Sequence, residues 1–245
     1  MRASFERFFD NEVYLQLKNN LFNYVLRRRL ILVHSPSARR ILDIGSGMSP
    51  VSPEWDKTVF VDFSEKALLY LTNTNKLTAV NADICHMPFK HNSFDLVVCS
   101  EVMEHVPDDT SAIRELCRLT STHGTMLVTV PLHKSYRRFD DAFAGHKRRY
   151  DPEKFKSKLE QSGFTVKQRV KAGGPLERVS TLLVTYIFTL ISDKEKSYKI
   201  PAFVFFPYRL INLFYSYILH LDALIWPTRF TSIMLFICKK QNRHQ

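Results

Sequence analysis

The sequence predicts an α/β fold in which a doubly wound, mostly parallel sheet of seven strands is covered by helices on both faces. Short, almost continuously apolar runs of strand length alternate with segments in which apolar residues recur at helical spacing. Strands without polar alternation are typical of a parallel sheet that is buried on both faces. The predicted strands are 40–44, 58–61, 77–81, 94–99, 125–130, 164–170 and 232–238.

Capping residues mark two of the helices between these strands. Asp109 or Thr110 is suited to cap a helix between the fourth and fifth strands, because a side-chain oxygen there can accept a free backbone N–H. The pair Asp151-Pro152 predicts the start of the next helix. Gly163 stands where a glycine commonly follows a helix end.

Composition divides the chain into four segments. Residues 1–37 contain a predicted amphipathic helix that packs on or lids a core at 38–173, and 231–245 carry the last strand and a basic tail. The insertion at 174–230 is helical and rich in aromatic residues, with more large apolar groups than one buried stripe needs. It predicts a substrate cap, a dimer surface or a surface that attaches to an acidic membrane. The charge-free run 179–192 is shorter than the roughly 20 residues of a bilayer span, so we expect no transmembrane helix there.

Overall charge and cysteine usage limit the class of protein. Of the 245 residues, 45% are hydrophobic and 24% charged, which excludes a disordered or fibrous chain. The net charge of +11 favours an anionic partner, which could be a nucleic acid, a phosphate-bearing substrate or acidic lipid. The four cysteines show no metal-binding or disulfide spacing. We therefore expect free thiols and a cytoplasmic protein, with peripheral contact at the inner membrane face.

The most informative motif follows the first strand. Asp43 lies two residues before Gly45, and Gly47 follows, so that backbone can approach a ligand closely at the carboxyl edge of the sheet. Pro50 occupies the place of the third glycine of a dinucleotide motif, and no Gly-Lys-Ser/Thr follows, so a phosphate-binding loop is excluded. A carboxylate at Asp43 suits a ligand that carries an ammonium and a sulfonium group.

This motif resembles that of the class I S-adenosylmethionine-dependent methyltransferases, in particular the small-molecule branch that includes quinone-biosynthesis enzymes. The resemblance extends over residues 38–170 and implies a Rossmann-like sheet with an antiparallel last strand. It implies that the segment 43–47 holds the methionine part of the cofactor, Asp62 the ribose hydroxyls and Asp83 the adenine amino group. The segment 100–106 resembles the loop that closes over the cofactor. The implied S-adenosylmethionine contacts are Asp43, Gly45, Gly47, Asp62, Phe63, Asp83, Ile84, Ser100 and Glu101.

The chain departs from the family pattern after Gly47. Ser49 stands in place of the family's third glycine, and Pro50 and Pro53 follow. The separation from Asp43 to Asp62 is also about one helical turn shorter than the family pattern implies. Because proline fits only the first turn of a helix, we expect the helix between the first two strands to be short or irregular.

Two histidines after the fifth strand are candidate catalytic bases. His133 and His146 follow that strand, beside the end of the cofactor that carries the methyl group in the implied fold. A base is needed where the acceptor must lose a proton, although either histidine could instead make ordinary loop hydrogen bonds. The segment from Gly145 to Tyr150 resembles a Gly-His-x-x-x-Tyr segment of some relatives, which favours His146. The basic residues of 133–158 predict an anion-binding rim or a solvated face.

These observations favour a methyltransferase that acts by in-line displacement on a small or lipid-linked acceptor of the quinone, glycolipid or saccharide type, and the acceptor is expected to be anionic. An RNA methyltransferase is an alternative that rests on charge alone, so a nucleic acid is the less favoured partner. A catalytically inactive cofactor-binding scaffold or assembly factor is another, suggested by Ser49 and Pro50. We expect no metal ion at the site.

Overall fold

A computed structural model describes residues 17–75, 77–192 and 202–241. These residues form a seven-stranded sheet in the order β3-β2-β1-β4-β5-β7-β6, and β7 runs antiparallel to both of its neighbours. The predicted α/β fold, with its mostly parallel sheet and antiparallel last strand, is confirmed. The strands are β1 (Ile41–Ile44), β2 (Thr58–Asp62), β3 (Thr78–Asn81), β4 (Phe94–Ser100), β5 (Thr120–Pro131), β6 (Phe164–Gly173) and β7 (Ile233–Lys240).

Helices cover both faces of the sheet. Two clusters of buried apolar residues lie on opposite faces, since neighbouring residues of β1 and of β4 alternate between them. This two-sided burial explains why the central strands show no polar alternation. The α-helices that lie within the described residues are α1 (Phe22–His34), α2 (Glu65–Asn75), α3 (Asp109–Leu119), α4 (Phe139–Ala144), α5 (Pro152–Gln161), α6 (Pro175–Ser192) and α7 (Ala202–Ile225).

The helix caps agree with the sequence at α5 and differ at α3. Asp151 accepts the first free N–H groups of α5, and Gly163 follows its end at a φ of 100°. At α3 the cap is Asp108, whose Oδ1 accepts the N–H of Ser111 at 3.0 Å. Asp109 instead lies in the first turn, buried, where it accepts the hydroxyl of Tyr150. The prediction of Asp109 or Thr110 as the cap was therefore wrong by at least one residue. The carboxyl group of Asp109 is engaged by Tyr150, so Asp108 caps the helix.

The connection between β1 and β2 contains no α-helix, and its residues are all described. A single 3-10 turn at Trp55–Lys57 precedes β2. The loop before it is fastened by Asp43, whose Oδ2 accepts the N–H groups of Val51 and Ser52 at 3.0 Å each. The sequence predicted a short or irregular helix between these two strands, and this was wrong because no α-helix forms there. Pro50 and Pro53 lack the backbone N–H that a helix interior needs, and an irregular loop takes its place.

The N-terminal helix α1 packs across α7 and the sheet. Its first backbone N–H donates to Oδ1 of Asn212 at 2.9 Å, and the ring of Phe22 meets that of Tyr215 edge to face. Leu26 and Ile31 of α1 are fully buried in the same cluster as the strands. The part of the predicted helix before residue 17 lies outside the described residues. Arg27 of α1 lies 3.6 Å from Glu101, which directly follows β4, so the helix reaches the carboxyl edge of the sheet, where ligands bind in such folds.

Candidate active site

A cavity of about 610 Å³ lies at the carboxyl ends of β1, β2 and β4. The carboxyl ends of parallel strands meet at one edge of a sheet, so residues far apart in the chain converge there. The structure brings all nine sequence-predicted cofactor residues to the wall of this cavity: Asp43, Gly45, Gly47, Asp62, Phe63, Asp83, Ile84, Ser100 and Glu101.

A hydrogen bond between Gly47 and Asp62 connects the loop after β1 to the end of β2. The Oδ2 atom of Asp62 accepts the N–H of Gly47 at 2.8 Å, and its Oδ1 accepts that of Ser64 at 2.8 Å. Burial raises the pKa of Asp62, while these two hydrogen bonds act in the opposite direction. Gly47 has a φ of 52°, and a Cβ atom there would meet no other atom within 4 Å. The glycine therefore leaves open space on the cavity side.

Gly45 allows the loop after β4 to close against the end of β1. Its N–H donates to the carbonyl of Val61 at 2.7 Å, and its φ is 65°. A Cβ atom at this position would lie 2.3 Å from Cγ2 of Val102. The close approach of the two loops requires a residue without a side chain.

Asp43 is almost fully buried and serves as an internal cap as well as part of the cavity wall. Its Oδ2 accepts two backbone N–H groups from the loop that follows Gly47. Burial raises the pKa of its carboxyl group to about 6, although these hydrogen bonds favour the ionised form.

The loop after β4 is held by Thr129 of β5. The N–H of Glu101, at a φ of 56°, approaches both the carbonyl oxygen and Oγ1 of Thr129, at 3.2 and 3.1 Å. Oε2 of Glu101 lies 3.6 Å from Nη1 of Arg27, which α1 brings to the site. Oε1 of Glu101 is buried and has no hydrogen-bond partner among the residues that the structure describes. This oxygen can accept a donor from a ligand.

A second cavity, of about 260 Å³, adjoins the first. Helix α6 and the segment around α4 form much of its wall, and apolar side chains such as Phe143, Val184 and Phe188 lie there beside Arg149 and Arg178. Five residues line both cavities, so the two share a wall. They are Lys18, Tyr24, Arg27, Glu101 and His105.

His146 lines the second cavity and is oriented by Asp141. Its Nδ1 lies 2.7 Å from Oδ1 of Asp141, and its ring meets that of His105 with centroids 4.9 Å apart. Arg149 also donates to the Asp141 carboxylate, with Nε 2.9 Å from both oxygens. Burial acts to raise the pKa of Asp141, but hydrogen bonds from His146 and Arg149 hold it well below its usual range. A permanently ionised Asp141 fixes the orientation of the imidazole ring.

Glu104 is buried behind the two histidines. Its Oε1 lies 3.7 Å from Nε2 of His146 and 4.0 Å from Nε2 of His105. Burial, reinforced by the nearby charge of Glu101, raises the pKa of Glu104 well above its usual value. Burial and the proximity of His146 lower the pKa of His105 to about 4, so this ring is neutral at pH 7.

Comparison with known proteins identifies the fold. Residues 42–128 match the sequence model of a family described as a methyltransferase domain. Over this segment the chain is similar to the class I S-adenosylmethionine-dependent methyltransferases. It is 27% identical over 164 residues to the malonyl-[acyl-carrier protein] O-methyltransferase of Buchnera aphidicola. The aligned region covers 65% of this chain and 64% of that protein. It is 30% identical over 145 residues to the demethylmenaquinone methyltransferase of Staphylococcus haemolyticus, covering 46% and 61%. The match thus spans less than two thirds of either relative.

The fold agrees with solved methyltransferase structures. A Thermotoga maritima structure described as a SAM-dependent methyltransferase superposes over 98% of this chain and 99% of its own, with a TM-score of 0.64 at 15% identity. At that identity, the likeness concerns the fold alone.

The residues of the larger cavity fit S-adenosylmethionine, the cofactor of this methyltransferase family. The buried acceptor of Glu101 has no partner among the described residues, and Gly47 leaves open space beside the Asp62 carboxylate. The carboxyl groups of Asp43, Asp62, Asp83 and Glu101 line the cavity and suit a ligand with an ammonium, a sulfonium and several hydroxyl groups. A cavity of about 610 Å³ is also within the usual range for a cofactor site.

The structure places His133 apart from the other candidate residues of this site. It adopts a φ of 58°, and its Nε2 lies 3.0 Å from the carbonyl oxygen of Thr228. It is not part of the wall of either cavity described above. The two histidines singled out in the sequence therefore have different surroundings, and His146 is the one at the cavity.

Several cations of the predicted anion-binding rim are paired within the protein. Arg148 and Lys158 both contact the carboxylate of Asp109, and Arg149 pairs with Asp140 and Asp141. These pairs reduce the charge that the segment 133–158 offers to an outside anion. They also weaken the case for an RNA substrate, which rested on positive charge alone.

Sequence reasoning missed the contributions of Arg27, Glu104 and Asp141. Arg27 belongs to a run of three arginines that gives no sign of which one faces a site. Glu104 lies in the cofactor-loop motif, but only the fold shows that its side chain points toward His146 instead of the larger cavity. Asp141 carries no local signal, because its role depends on contacts with residues five and eight positions later.

Proposed function

We propose that this protein transfers a methyl group from S-adenosylmethionine to a small or lipid-linked acceptor bound in the second cavity. The observation that carries the proposal is the wall shared by the two cavities, in which Arg27, Glu101 and His105 face both. Two ligands bound in these adjoining cavities would both lie against the same side chains and would therefore be close to each other. Holding two reactants in line contributes on the order of 7–11 kcal/mol to such a reaction.

The chain's residues have separate tasks in this proposal. S-adenosylmethionine supplies an electrophilic methyl group on a sulfonium. Asp62 binds the ribose hydroxyls, Asp83 faces the adenine, and Asp43 and Glu101 attract the positive end of the cofactor. Gly45 and Val102 close the loop after β4 over the cavity and exclude water.

His146 activates the acceptor. Its Nδ1–H donates to Asp141, which leaves the lone pair on Nε2 to accept the proton that an acceptor hydroxyl loses. Because Asp141 is held ionised, it also stabilises the imidazolium that forms. The arrangement supports acceptors whose nucleophilic atom carries a proton.

The lining of the second cavity favours an acceptor of the quinone type over a saccharide. Phe143, Val184 and Phe188 offer apolar contacts that suit a ring or the start of a lipid chain. One of the similar proteins is a demethylmenaquinone methyltransferase, which also favours a quinone. Arg149 and Arg178 lie among these apolar groups and would hold an anionic substituent, even though both are paired with Asp140.

We further propose that α6 and α7 bind an anionic lipid surface that delivers this acceptor. Arg209, two turns into α7, and Arg229, four residues after its end, are both exposed and suit anionic headgroups. No helix among the described residues has both the length and the apolarity to cross a bilayer. A stripe along α7 repeats every three or four residues, with each side chain more than half exposed: Phe206, Leu210, Phe214, Tyr217, Leu221 and Ile225.

Vesicle binding tests the lipid proposal. We expect the protein to sediment with vesicles containing phosphatidylglycerol and not with phosphatidylcholine alone. Phe214→Asp combined with Leu221→Asp should abolish sedimentation, whereas Leu69→Asp, at an exposed apolar site on α2, should not. If the protein sediments with neither kind of vesicle and instead forms a dimer through the stripe, the lipid proposal is wrong and this surface binds a second copy of the chain.

Calorimetric titration with S-adenosylmethionine tests the main proposal. We expect one binding site per chain, followed by formation of S-adenosylhomocysteine when a demethylated quinol is added. Failure of the folded protein to bind S-adenosylmethionine would overturn the proposal and favour the inactive-scaffold alternative.

A further inference from the structure

Three candidate metal ligands lie together beside the wall that the two cavities share. Glu104, His105 and His146 each offer one ligand atom, and these atoms all lie within 4.8 Å of one another. The carboxylate oxygen Oε1 of Glu104 is 3.7 Å from one imidazole Nε2 and 4.0 Å from the other. Two imidazoles and one carboxylate are a ligand set used by transition-metal sites in proteins.

The side chain of Glu104 provides a second, independent observation. It is fully buried, and neither of its carboxylate oxygens has a hydrogen-bond partner among the described residues. Leaving a buried carboxyl group without hydrogen bonds is unfavourable, so such groups are normally hydrogen-bonded, paired or bound to a metal. A cation between Glu104 and the two histidines would supply the missing interaction.

The two histidines are oriented as metal ligands usually are. Nδ1 of His146 lies 2.7 Å from the carboxylate of Asp141, and Nδ1 of His105 lies 3.2 Å from the carbonyl oxygen of Gly145. Both oxygens only accept hydrogen bonds, so the proton of each neutral ring is on Nδ1 and the lone pair is on Nε2. A ligating histidine that donates its other N–H to a carboxylate or carbonyl is the common arrangement around protein-bound metals.

We propose that Glu104, His105 and His146 bind one divalent first-row transition-metal ion. Ligand atoms of a tetrahedral site with bonds of about 2.0–2.1 Å lie about 3.4 Å apart. The two carboxylate–imidazole separations, 3.7 and 4.0 Å, must therefore shorten by about half an ångström, and the separation between the two imidazole nitrogens, which is at most 4.8 Å, by up to about 1.4 Å. His105 and His146 also line the second cavity, so an open coordination position would face the acceptor.

The role of the ion rests on the proposed function, whereas its binding does not. An acceptor hydroxyl bound to the ion would release its proton to solvent water more readily and would be held in one orientation; its oxygen would then take the methyl group from the sulfonium, which leaves as S-adenosylhomocysteine. When the ion is bound, Nε2 of His146 is a metal ligand and cannot accept a proton. The ion then activates the acceptor in place of His146. The proposed site differs from the sequence-based expectation of no metal ion, because the three ligands become neighbours only in the fold.

Titration with Co²⁺ tests the site without an activity assay. Untagged, chelator-treated full-length protein should bind one Co²⁺ per chain with visible absorption bands, and Zn²⁺ should displace it. Glu104→Gln and His146→Gln should weaken binding by more than the 10–100-fold that loss of an outer partner costs. The matched control is His123→Gln, an exposed histidine at the start of β5, which should bind as the wild type does. If Glu104→Gln does not fold, His105→Gln replaces it as a test variant and should weaken Co²⁺ binding in the same way.

The outcomes separate this inference from the proposed function. Absence of stoichiometric Co²⁺ binding, or binding that the Glu104 and His105 variants leave unchanged, overturns the metal site. S-adenosylmethionine is titrated into the same preparation. Cofactor binding without Co²⁺ binding leaves the proposed function standing alone, and Co²⁺ binding without cofactor binding leaves only the metal site.

Discussion

Gly45 and Val102 lie so close together that no side chain fits between them: a Cβ atom on Gly45 would be 2.3 Å from Cγ2 of Val102. The contact joins the end of β1 to the loop after β4, the two segments that close the larger cavity. Valine cannot easily move away, because its branched side chain has essentially one torsion to adjust.

Replacing Gly45 by alanine should therefore destabilise the protein more than the same change at Gly47. Both glycines have positive φ, so each substitution costs about 1–2 kcal/mol in backbone strain. Only Gly45→Ala adds an overlap, worth a further 1–3 kcal/mol or so, since a Cβ atom at Gly47 meets open space. Urea denaturation measures the difference. Adding Val102→Ala to Gly45→Ala should recover the overlap but not the strain, and equal losses for the two single variants would refute the steric explanation.

Asp62→Ala should weaken S-adenosylmethionine binding by about 1.5–3 kcal/mol, the usual contribution of hydrogen bonds to a charged group. Calorimetry measures the dissociation constant, with thermal unfolding to verify that the variant folds. Asp95→Ala is the control, because Asp95 pairs with Arg40 at the opposite edge of the sheet. An unchanged dissociation constant for Asp62→Ala would remove this residue from the cofactor site.

His146→Ala should reduce kcat by about 10²-fold or more, the usual contribution of a proton-transferring residue, with little change in cofactor affinity. His133→Ala should leave kcat near the wild-type value, because His133 contacts Thr228 outside both cavities. Steady-state kinetics with a quinol acceptor, once one is found, measures both. A larger loss in the His133 variant would reverse the assignment of the catalytic histidine.

Asp43→Asn should change how stability depends on pH. The pKa of Asp43 is about 6 in the fold and 3.8 as its ordinary value, so the protonated form is favoured by folding. Its stabilising contribution is complete below pH 3.8 and is lost as the pH rises through 6. Between pH 4 and 7 the wild type should lose up to about 3 kcal/mol relative to the variant.

The asparagine variant keeps the local structure in this comparison. One oxygen of Asp43 accepts both N–H groups, from Val51 and Ser52, and the amide oxygen of asparagine can take its place. Unfolding free energies of the cofactor-free proteins are measured across this range. Parallel curves would mean that Asp43 titrates as an ordinary exposed carboxyl group.

Much of the candidate cofactor site could be predicted from the sequence because it depends on strand ends. Parallel strands bring their carboxyl ends to one edge, so residues that follow β1, β2, β3 and β4 must converge whatever the details of packing. The nine predicted residues accordingly meet around one cavity. The irregular connection before β2 was likewise local, since two prolines are incompatible with a helix interior.

The sequence by itself thus determined the sheet, the ends of its strands and the glycine loop, because these depend on local patterns and backbone conformation. Only the tertiary structure decided which charged side chains meet. Helix α1 brings Arg27 to Glu101, 74 positions away in the chain, and the fold joins Glu104 to His146 while it leaves His133 at Thr228. Such contacts depend on how helices pack across the sheet, and no local pattern specifies that packing.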